Sequence, residues 1–199
     1  RRNIIVFINN VDWAFVSHRL PIALKAIERG LEVHLISKGT GCEKLLKEKG
    51  IIFHDWNLHR SSLNPLLISS DILDLYILIQ KIKPDIVHAI TIKPILMCGI
   101  LRLFKKDISC VYSIAGLGHS FTSRSIKSYL VKKISFIFFK LSFNRKDIHV
   151  IFQNKDDLKQ ILKITNLKKG DYTLIPGSGI DLDHFRPRNI NNKKPVILF

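Results

Sequence analysis

The chain has 199 residues, and its 46% hydrophobic content is typical of a folded domain and excludes a disordered chain. Lys and Arg total 32 against 16 for Asp and Glu, so the formal net charge is +16, which indicates a phosphate-bearing ligand, a nucleic acid or an anionic membrane as partner. The cysteines, Cys42, Cys98 and Cys110, form no C-x-x-C pair, which argues against a disulfide framework and a zinc site and fits a reducing, cytoplasmic setting without a metal.

Short apolar segments alternate along the chain with segments of helical periodicity. The predicted strands are residues 3–9, 32–37, 85–91, 109–115 and 147–153. Continuous apolar strands of this kind are typical of a parallel sheet that is buried on both faces. The alternation predicts an α/β fold with a Rossmann-like, doubly wound parallel sheet, which binds ligands at the carboxyl ends of its strands.

Helix start and stop signals lie between these strands. The first predicted helix ends before Gly30. The second is predicted to begin at Asp71, as its N-cap, and to end before Pro84. Pro94 is placed in the first turn of a third helix, and Asn154 is predicted to cap a fourth.

The composition changes near the carboxyl end. The stretch RNINNKK is polar, whereas PVILF, at the end of the sequence, resembles a buried strand without a partner in its own domain. We therefore predict one domain over residues 1–186, and we interpret residues 187–199 as a linker and the first strand of a second, missing domain.

Two polar segments supply candidate ligand-binding residues. His18 and Arg19 follow the first strand, where an Arg can hold a phosphate by paired hydrogen bonds; the alternative is an ordinary solvated helix start. The segment HRSSLNP offers Arg60, Ser61 and Asn64 to a phosphorylated or hydroxylated ligand, although these residue types are also common in turns.

The first loop and the third strand give further signals. The loop NNVDWAFVSHRLP lacks the G-x-G-x-x-G pattern, so we expect no nicotinamide or flavin cofactor. His88 lies inside the strand 85–91 and is either a hydrogen-bonded core residue or a ligand-binding one. Lys93, just beyond that strand, is the stronger ligand candidate of the two.

The segment SIAGLGHSF ends the fourth strand. Gly116 and Gly118 permit either a positive φ or the close approach of a ligand to bare backbone. His119 would then lie at the rim of the sheet and could serve in proton transfer or hydrogen bonding. A glycine turn with an exposed histidine is the alternative, and the spacing alone does not choose between them.

Residues 123–147 combine a run of basic residues with four phenylalanines and have no acidic residue before Asp147. The apolar part is shorter than the ~20 residues that span a bilayer. Such a helix either lies on an anionic membrane surface or packs its phenylalanines on the sheet, and both roles can coexist. The predicted membrane-contacting residues are Lys132, Lys133, Phe136, Phe139 and Lys140.

Taken in order, six segments resemble the amino-terminal half of glycosyltransferase family 4 enzymes, in particular bacterial transferases that build O-antigen, capsule and related glycans on a lipid carrier. They are SHRLPIALKAIERGLEVHLIS, HRSSLNP, KPDIVHAITIKP, IAGLGHSF, VIFQNKDDL and IPGSGIDLDHFRP, and together they cover nearly the whole chain. The resemblance implies a GT-B fold, in which two Rossmann-like domains face each other across a cleft. The amino-terminal domain mostly holds the acceptor, and the carboxyl-terminal domain mostly holds the nucleotide sugar.

The implied activity is that of a retaining hexosyltransferase acting at the inner face of the bacterial plasma membrane, with this half inactive alone. It would move an N-acetylhexosamine or a hexose from a UDP-linked sugar to a polyprenyl-diphosphate-linked saccharide, without a further cofactor or an obligatory metal. Substrate binding is implied for the candidates at the strand ends, and a catalytic role for His119. Two departures from the family pattern are the missing glycine pair in the first loop and Gly116 where many relatives place a histidine.

Three other functions compete with this one. A non-catalytic acceptor-binding remnant would retain this domain alone, and a nucleotide-sugar epimerase would share the two-domain build. A nucleic-acid-binding domain is favoured only by the net charge of +16.

Overall fold

The computed structural model describes residues 3–60, 62, 64–104, 108–117, 126–143, 146–180, 182–183 and 185–186. Within these residues the strands are β1 Ile4–Val11, β2 Glu32–Lys38, β3 Ile52–Asp55, β4 Ile86–Ile90, β5 Ser109–Ile114, β6 Ile148–Phe152 and β7 Tyr172–Leu174. The helices are α1 Asp12–His18, α2 Leu20–Glu28, α3 Glu43–Glu48, α4 Pro65–Ile82, α5 Ile92–Phe104, α6 Ile126–Phe143 and α7 Lys155–Leu162.

The strands form one parallel sheet in the order β3-β2-β1-β4-β5-β6-β7. The chain winds outward from β1 in one direction and, after crossing to β4, in the other. The predicted Rossmann-like, doubly wound fold is therefore confirmed. Ligands of such sheets bind outside the carboxyl ends of the strands where the winding direction reverses, which here is between β1 and β4.

Both faces of the sheet are buried, as continuous apolar strands require. One core lies beneath α4, α5 and α6 and includes Val6, Tyr112 and Phe139. The other lies beneath α1, α2 and α3 and includes Phe7 and Phe15, whose rings meet edge to face 5.3 Å apart. The sheet thus fixes the positions of the loops at its carboxyl edge.

The start of α4 corrects one prediction. The N-cap is Asn64, whose side chain accepts a hydrogen bond from the backbone N–H of Leu66 at 3.0 Å, and Pro65 occupies the first helical position. Asp71 is not a cap but lies in the second turn, 1% exposed, where its carboxylate holds side chains of two other segments. The predicted cap of α7 is confirmed, because Asn154 accepts from the backbone N–H of Asp157 at 2.7 Å.

Two further observations concern the predicted organisation of the chain. Residues 187–199 lie outside the described residues, so the domain boundary and the second domain stay predictions. Among the helices that the structure describes, none is sufficiently long and apolar to cross a membrane.

Candidate functional site

The carboxyl ends of the central strands bring polar residues together at the point where the winding reverses. Asn10 lies near the end of β1, Thr91 follows β4 and Ser113 lies near the end of β5. Asn10 Oδ1 and Thr91 Oγ1 are buried atoms without a hydrogen-bond partner in the described part of the chain. Buried polar atoms of this kind are normally paired, so these two unpaired atoms mark the carboxyl end of the central strands as a candidate site.

Thr91 also has a strained backbone. Its φ is +70°, a left-handed conformation that a β-branched residue rarely adopts. Strain of this kind persists where the surrounding structure imposes it and is concentrated at functional sites. Thr91 is therefore a candidate ligand-binding residue that the sequence analysis did not identify.

Arg19 is the main charge at this edge of the sheet. It lies between α1 and α2 and is only 7% exposed, so it is not part of a solvated helix start. Its Nε has no hydrogen-bond partner among the described residues, and no carboxylate of those residues forms an ion pair with it. Burial lowers the pKa of Arg19 from its usual value. His18, by contrast, is exposed at the end of α1.

His88 lies in β4 beside this arginine. It is 5% exposed, and its Nε2 is 2.7 Å from Ser113 Oγ on β5. Burial, and then the positive charge of Arg19, lower the pKa of His88 to about 3. Of the two interpretations left open by the sequence, the hydrogen-bonded core residue is the one that this geometry supports. A neutral imidazole leaves the positive charge at this edge to Arg19.

The lowered pKa of His88 predicts a pH dependence of stability. Below about pH 6.5 the unfolded chain binds a proton at this position that the folded chain binds only near pH 3. The free energy of unfolding is therefore expected to fall by about 1.4 kcal/mol per pH unit as the pH drops through this window. Urea denaturation at pH 7, 6, 5 and 4 measures it, and His88→Gln should show a shallower dependence. Equal slopes for the two proteins would contradict the prediction.

A second polar cluster joins the loop after β3 to α4 and α5. Asp71 Oδ1 is 2.7 Å from His59 Nδ1, and Asp71 Oδ2 is 3.2 Å from Lys93 Nζ. Lys93 Nζ also donates to the backbone carbonyl of His59, and Trp56 Nε1 donates to the backbone carbonyl of Asp71 at 3.1 Å. Lys93, the predicted ligand candidate, is thus already paired inside the protein.

The other candidates from this loop have different environments. Arg60 is exposed, and Asn64 is used as the cap of α4. Ser61 lies outside the described residues. Arg60 and Asn64 are therefore both exposed, but the side chain of Asn64 is engaged as a cap, which leaves Arg60 as the candidate that this loop after β3 presents to solvent.

The glycine segment after β5 is described as far as Leu117. Gly116 is exposed, and a Cβ built on it would meet no atom within 4 Å. The backbone N–H of Leu117 donates to Asp157 Oδ2 on α7 at 3.2 Å, which fixes the start of this segment. Gly118 and His119 lie outside the described residues, so their roles stay predictions.

Asp12 is a further residue that the sequence analysis did not identify. It is fully buried at the end of β1 and accepts hydrogen bonds from the backbone N–H groups of Thr40 and Cys42, at 2.8 and 3.0 Å. Burial raises the pKa of Asp12, but the hydrogen bonds from the Thr40 hydroxyl and from the backbone N–H groups of Thr40, Cys42 and Trp13 together outweigh burial and lower it. Asp12 therefore ties the loop after β2 to the end of β1.

The structure revises the predicted membrane contacts of α6. Phe139 is completely buried and Phe136 is partly buried, so both pack inward and Phe139 does not reach the surface. Lys132 Nζ lies 5.5 Å from the centre of the Phe136 ring. Among the side chains of α6 that the structure describes, the large apolar ones that are exposed are Ile134 and Ile137, and Lys133 and Lys140 are also exposed.

Comparison with known proteins identifies the family to which the chain belongs. Residues 4–154 match the family described as glycosyl transferase 4-like. The chain is 25% identical over 207 aligned positions to the N,N'-diacetylbacillosaminyl-diphospho-undecaprenol alpha-1,3-N-acetylgalactosaminyltransferase of Campylobacter jejuni. The alignment covers 96% of the chain and 54% of that protein, so the chain spans about half the length of this relative.

Solved structures support the same fold. A glycosyltransferase from Rickettsia africae matches with a TM-score of 0.60 at 19% identity, over 96% of this chain and 47% of that one. Sucrose-phosphate synthase from Thermosynechococcus elongatus matches with a TM-score of 0.65 at 12% identity, over 94% and 51%. At these identities the likeness concerns the fold alone.

Proposed function

Because the chain belongs to the glycosyl transferase 4-like family, we propose that it is the acceptor-side domain of a retaining glycosyltransferase. The proposed reaction moves an N-acetylhexosamine or a hexose from a UDP-linked sugar to a saccharide carried on a polyprenyl diphosphate, as a step in bacterial surface glycan assembly. The name of the Campylobacter relative, with its diphospho-undecaprenol and N-acetylgalactosaminyl groups, supports this substrate class.

The proposal rests on the burial of Arg19 at the carboxyl end of the central strands. Arg19 is a buried guanidinium that no described carboxylate pairs with, which is unfavourable without a ligand, and a diphosphate would supply negative charge there. It lies at the reversal point of the sheet, where ligands of this fold bind. Both substrates of the proposed reaction contain a diphosphate, so the charge alone does not say which one Arg19 binds.

The surrounding residues would orient the sugar. Gly116 is exposed, and no described residue would lie within 4 Å of a Cβ built on it, so a ligand could approach the backbone there. His88 stays neutral and fixes the ends of β4 and β5 through Ser113. Cationic side chains and backbone dipoles would stabilise the charge on the leaving diphosphate, and holding the acceptor hydroxyl near the sugar would lower the entropic barrier.

The test is a transfer assay with the full-length gene product. It uses UDP-linked hexoses and N-acetylhexosamines and a short-chain prenyl-diphosphate saccharide, with products identified by mass spectrometry. A product heavier than the acceptor by one sugar residue supports the proposal. Conversion of the nucleotide sugar without any acceptor would indicate an epimerase, and acceptor binding without transfer would indicate a non-catalytic acceptor-binding protein.

We also propose that the layer of α4, α5 and α6 contacts an anionic membrane surface. Helices α5 and α6 contain no acidic residue. The outer side of α4 carries Leu66, Leu73 and Ile77, each more than half exposed. On α6, the exposed Ile134 and Ile137 accompany the exposed Lys133 and Lys140, which matches the interface of an anionic bilayer, where acyl chains meet negative headgroups.

Binding to vesicles tests this surface. Each basic residue near an anionic bilayer contributes about 1 kcal/mol, so the double variant Lys133→Gln/Lys140→Gln is expected to bind phosphatidylglycerol-containing vesicles about 30-fold more weakly. The matched control is Lys44→Gln/Lys47→Gln, which removes two exposed charges from α3 on the opposite face. Equal losses in both variants would show that net charge, not this surface, determines binding.

A further inference from the structure

We propose that His59, held by Asp71, is a ligand-binding residue whose Nε2 accepts a hydrogen bond from a hydroxyl group of the bound acceptor saccharide. This inference rests on the proposed function and adds to it a residue that the sequence analysis did not select. Asp71 is then a positioning residue, which acts on the ligand only through the imidazole.

The contacts of Asp71 fix the imidazole in place. Its carboxylate lies 2.7 Å from His59 Nδ1 and also accepts from the backbone N–H of His59, at 3.3 Å. The aspartate is 1% exposed, whereas the histidine side chain is 37% exposed. One nitrogen of the ring is therefore bound inside the protein, while the ring itself reaches solvent.

The chemistry of the carboxylate determines the tautomer. An ionised carboxylate only accepts hydrogen bonds, so Nδ1 must carry the proton. In a neutral imidazole Nε2 then has a free lone pair, and within the described residues it has no hydrogen-bond partner. A lone pair in this position can accept from a sugar hydroxyl, and the same arrangement orients imidazoles in other active sites.

The location of His59 fits a ligand contact. Lys93, which follows β4 closely, donates to the backbone carbonyl of His59 and so holds this loop beside the carboxyl end of β4. That end neighbours β1, at the reversal point of the sheet. Trp56, 1% exposed, fixes the start of this loop to α4, because its Nε1 donates to the backbone carbonyl of Asp71.

Burying a carboxylate in α4 costs stability unless it is well paired. Asp71 is paired with Lys93 Nζ at 3.2 Å as well as with the imidazole, so the ion pair holds the carboxylate in position for His59. An apolar residue would satisfy the packing of α4 without orienting either partner. The buried aspartate thus points to a role for the imidazole that it holds.

Two substitutions of His59 distinguish ligand binding by the imidazole from a purely structural role in the loop. His59→Asn keeps a donor near the position of Nδ1 for Asp71 but has no atom at the position of Nε2. His59→Gln extends an amide oxygen toward the position of Nε2. We expect His59→Asn to bind a short-chain prenyl-diphosphate N-acetylhexosamine about tenfold more weakly than the wild type, with an unchanged urea midpoint, and His59→Gln to recover part of the loss.

Two measurements decide the outcome. Long-range ¹H–¹⁵N spectra of the ligand-free chain report the His59 tautomer, and an Nε2–H tautomer would overturn the inference whatever binds. Isothermal titration with the prenyl-diphosphate saccharide gives affinities. Wild-type binding that His59→Asn retains in full would overturn the inference alone, whereas no binding by the wild type would overturn the proposed function and this inference together.

Discussion

Replacing Arg19 with methionine is expected to stabilise the folded chain while weakening its binding to a diphosphate about 100-fold. Methionine fills a similar volume and removes a buried charge that has no carboxylate partner among the described residues. Removing buried ionic groups in favour of apolar ones of similar size often increases stability, here by about 1 to 2 kcal/mol. A charge-assisted hydrogen bond to the ligand is lost in the same step, which explains the weaker binding.

Urea denaturation and isothermal titration measure the two effects of Arg19→Met. Titrations with UDP and with a short-chain prenyl diphosphate are run separately. The ligand whose affinity falls more in Arg19→Met is the one that contacts Arg19. The control is Arg29→Met, which removes an exposed charge near the end of α2. Equal losses of affinity in the two variants would show that the effect comes from net charge.

His88 gives this experiment a third readout. Part of the lowering of the His88 pKa comes from the charge of Arg19, so the pKa of His88 should rise in Arg19→Met. An NMR titration of the imidazole detects the change. A pKa that stays the same would mean that the guanidinium does not lie close to His88, and the charge site at the carboxyl edge would have to be placed elsewhere.

The sequence predicted the central strands of the sheet but not its edges. Strands β1, β2, β4, β5 and β6 are apolar because helices cover them, and this composition is visible in the sequence. The short outer strands β3 and β7, with sequences IFHD and YTL, carry polar and exposed residues and show no periodicity. β3 pairs with β2 and β7 pairs with β6, in each case the preceding strand of the chain, but a segment this short and polar does not by itself indicate a strand.

For the candidate site, too, the sequence indicated some of the residues but not their contacts. Arg19 was selected because it follows the first strand, but its burial depends on how α1 and α2 meet, which no spacing rule gives. Asp71 precedes an apolar periodic run and therefore matched the pattern of an N-cap. Its true partners, His59 and Lys93, lie 12 residues before it and 22 after it, so only the folded chain reveals the cluster.

Replacing Gly99 with alanine is expected to destabilise the chain by about 2 kcal/mol, although alanine is the better helix former. A Cβ built on Gly99 in α5 would lie 2.7 Å from Ser142 Cβ in α6, closer than two carbon atoms can approach. Urea denaturation measures the change, and Gly116→Ala is the control because a Cβ there meets nothing within 4 Å. If both glycine variants unfold at the same midpoint, the helices are not in close contact at Gly99.

A double-mutant cycle assigns the effect of Gly99→Ala to the contact between α5 and α6. With Ser142→Gly the nearest remaining atom of residue 142 is its Cα, 3.7 Å from the new Cβ, which is an ordinary contact distance. The pair Gly99→Ala/Ser142→Gly should therefore be more stable than the sum of the single changes predicts. Since α5 also carries Lys93 near its start, a helix displaced by Gly99→Ala should shift the His59 resonances as well, and the cycle should restore them.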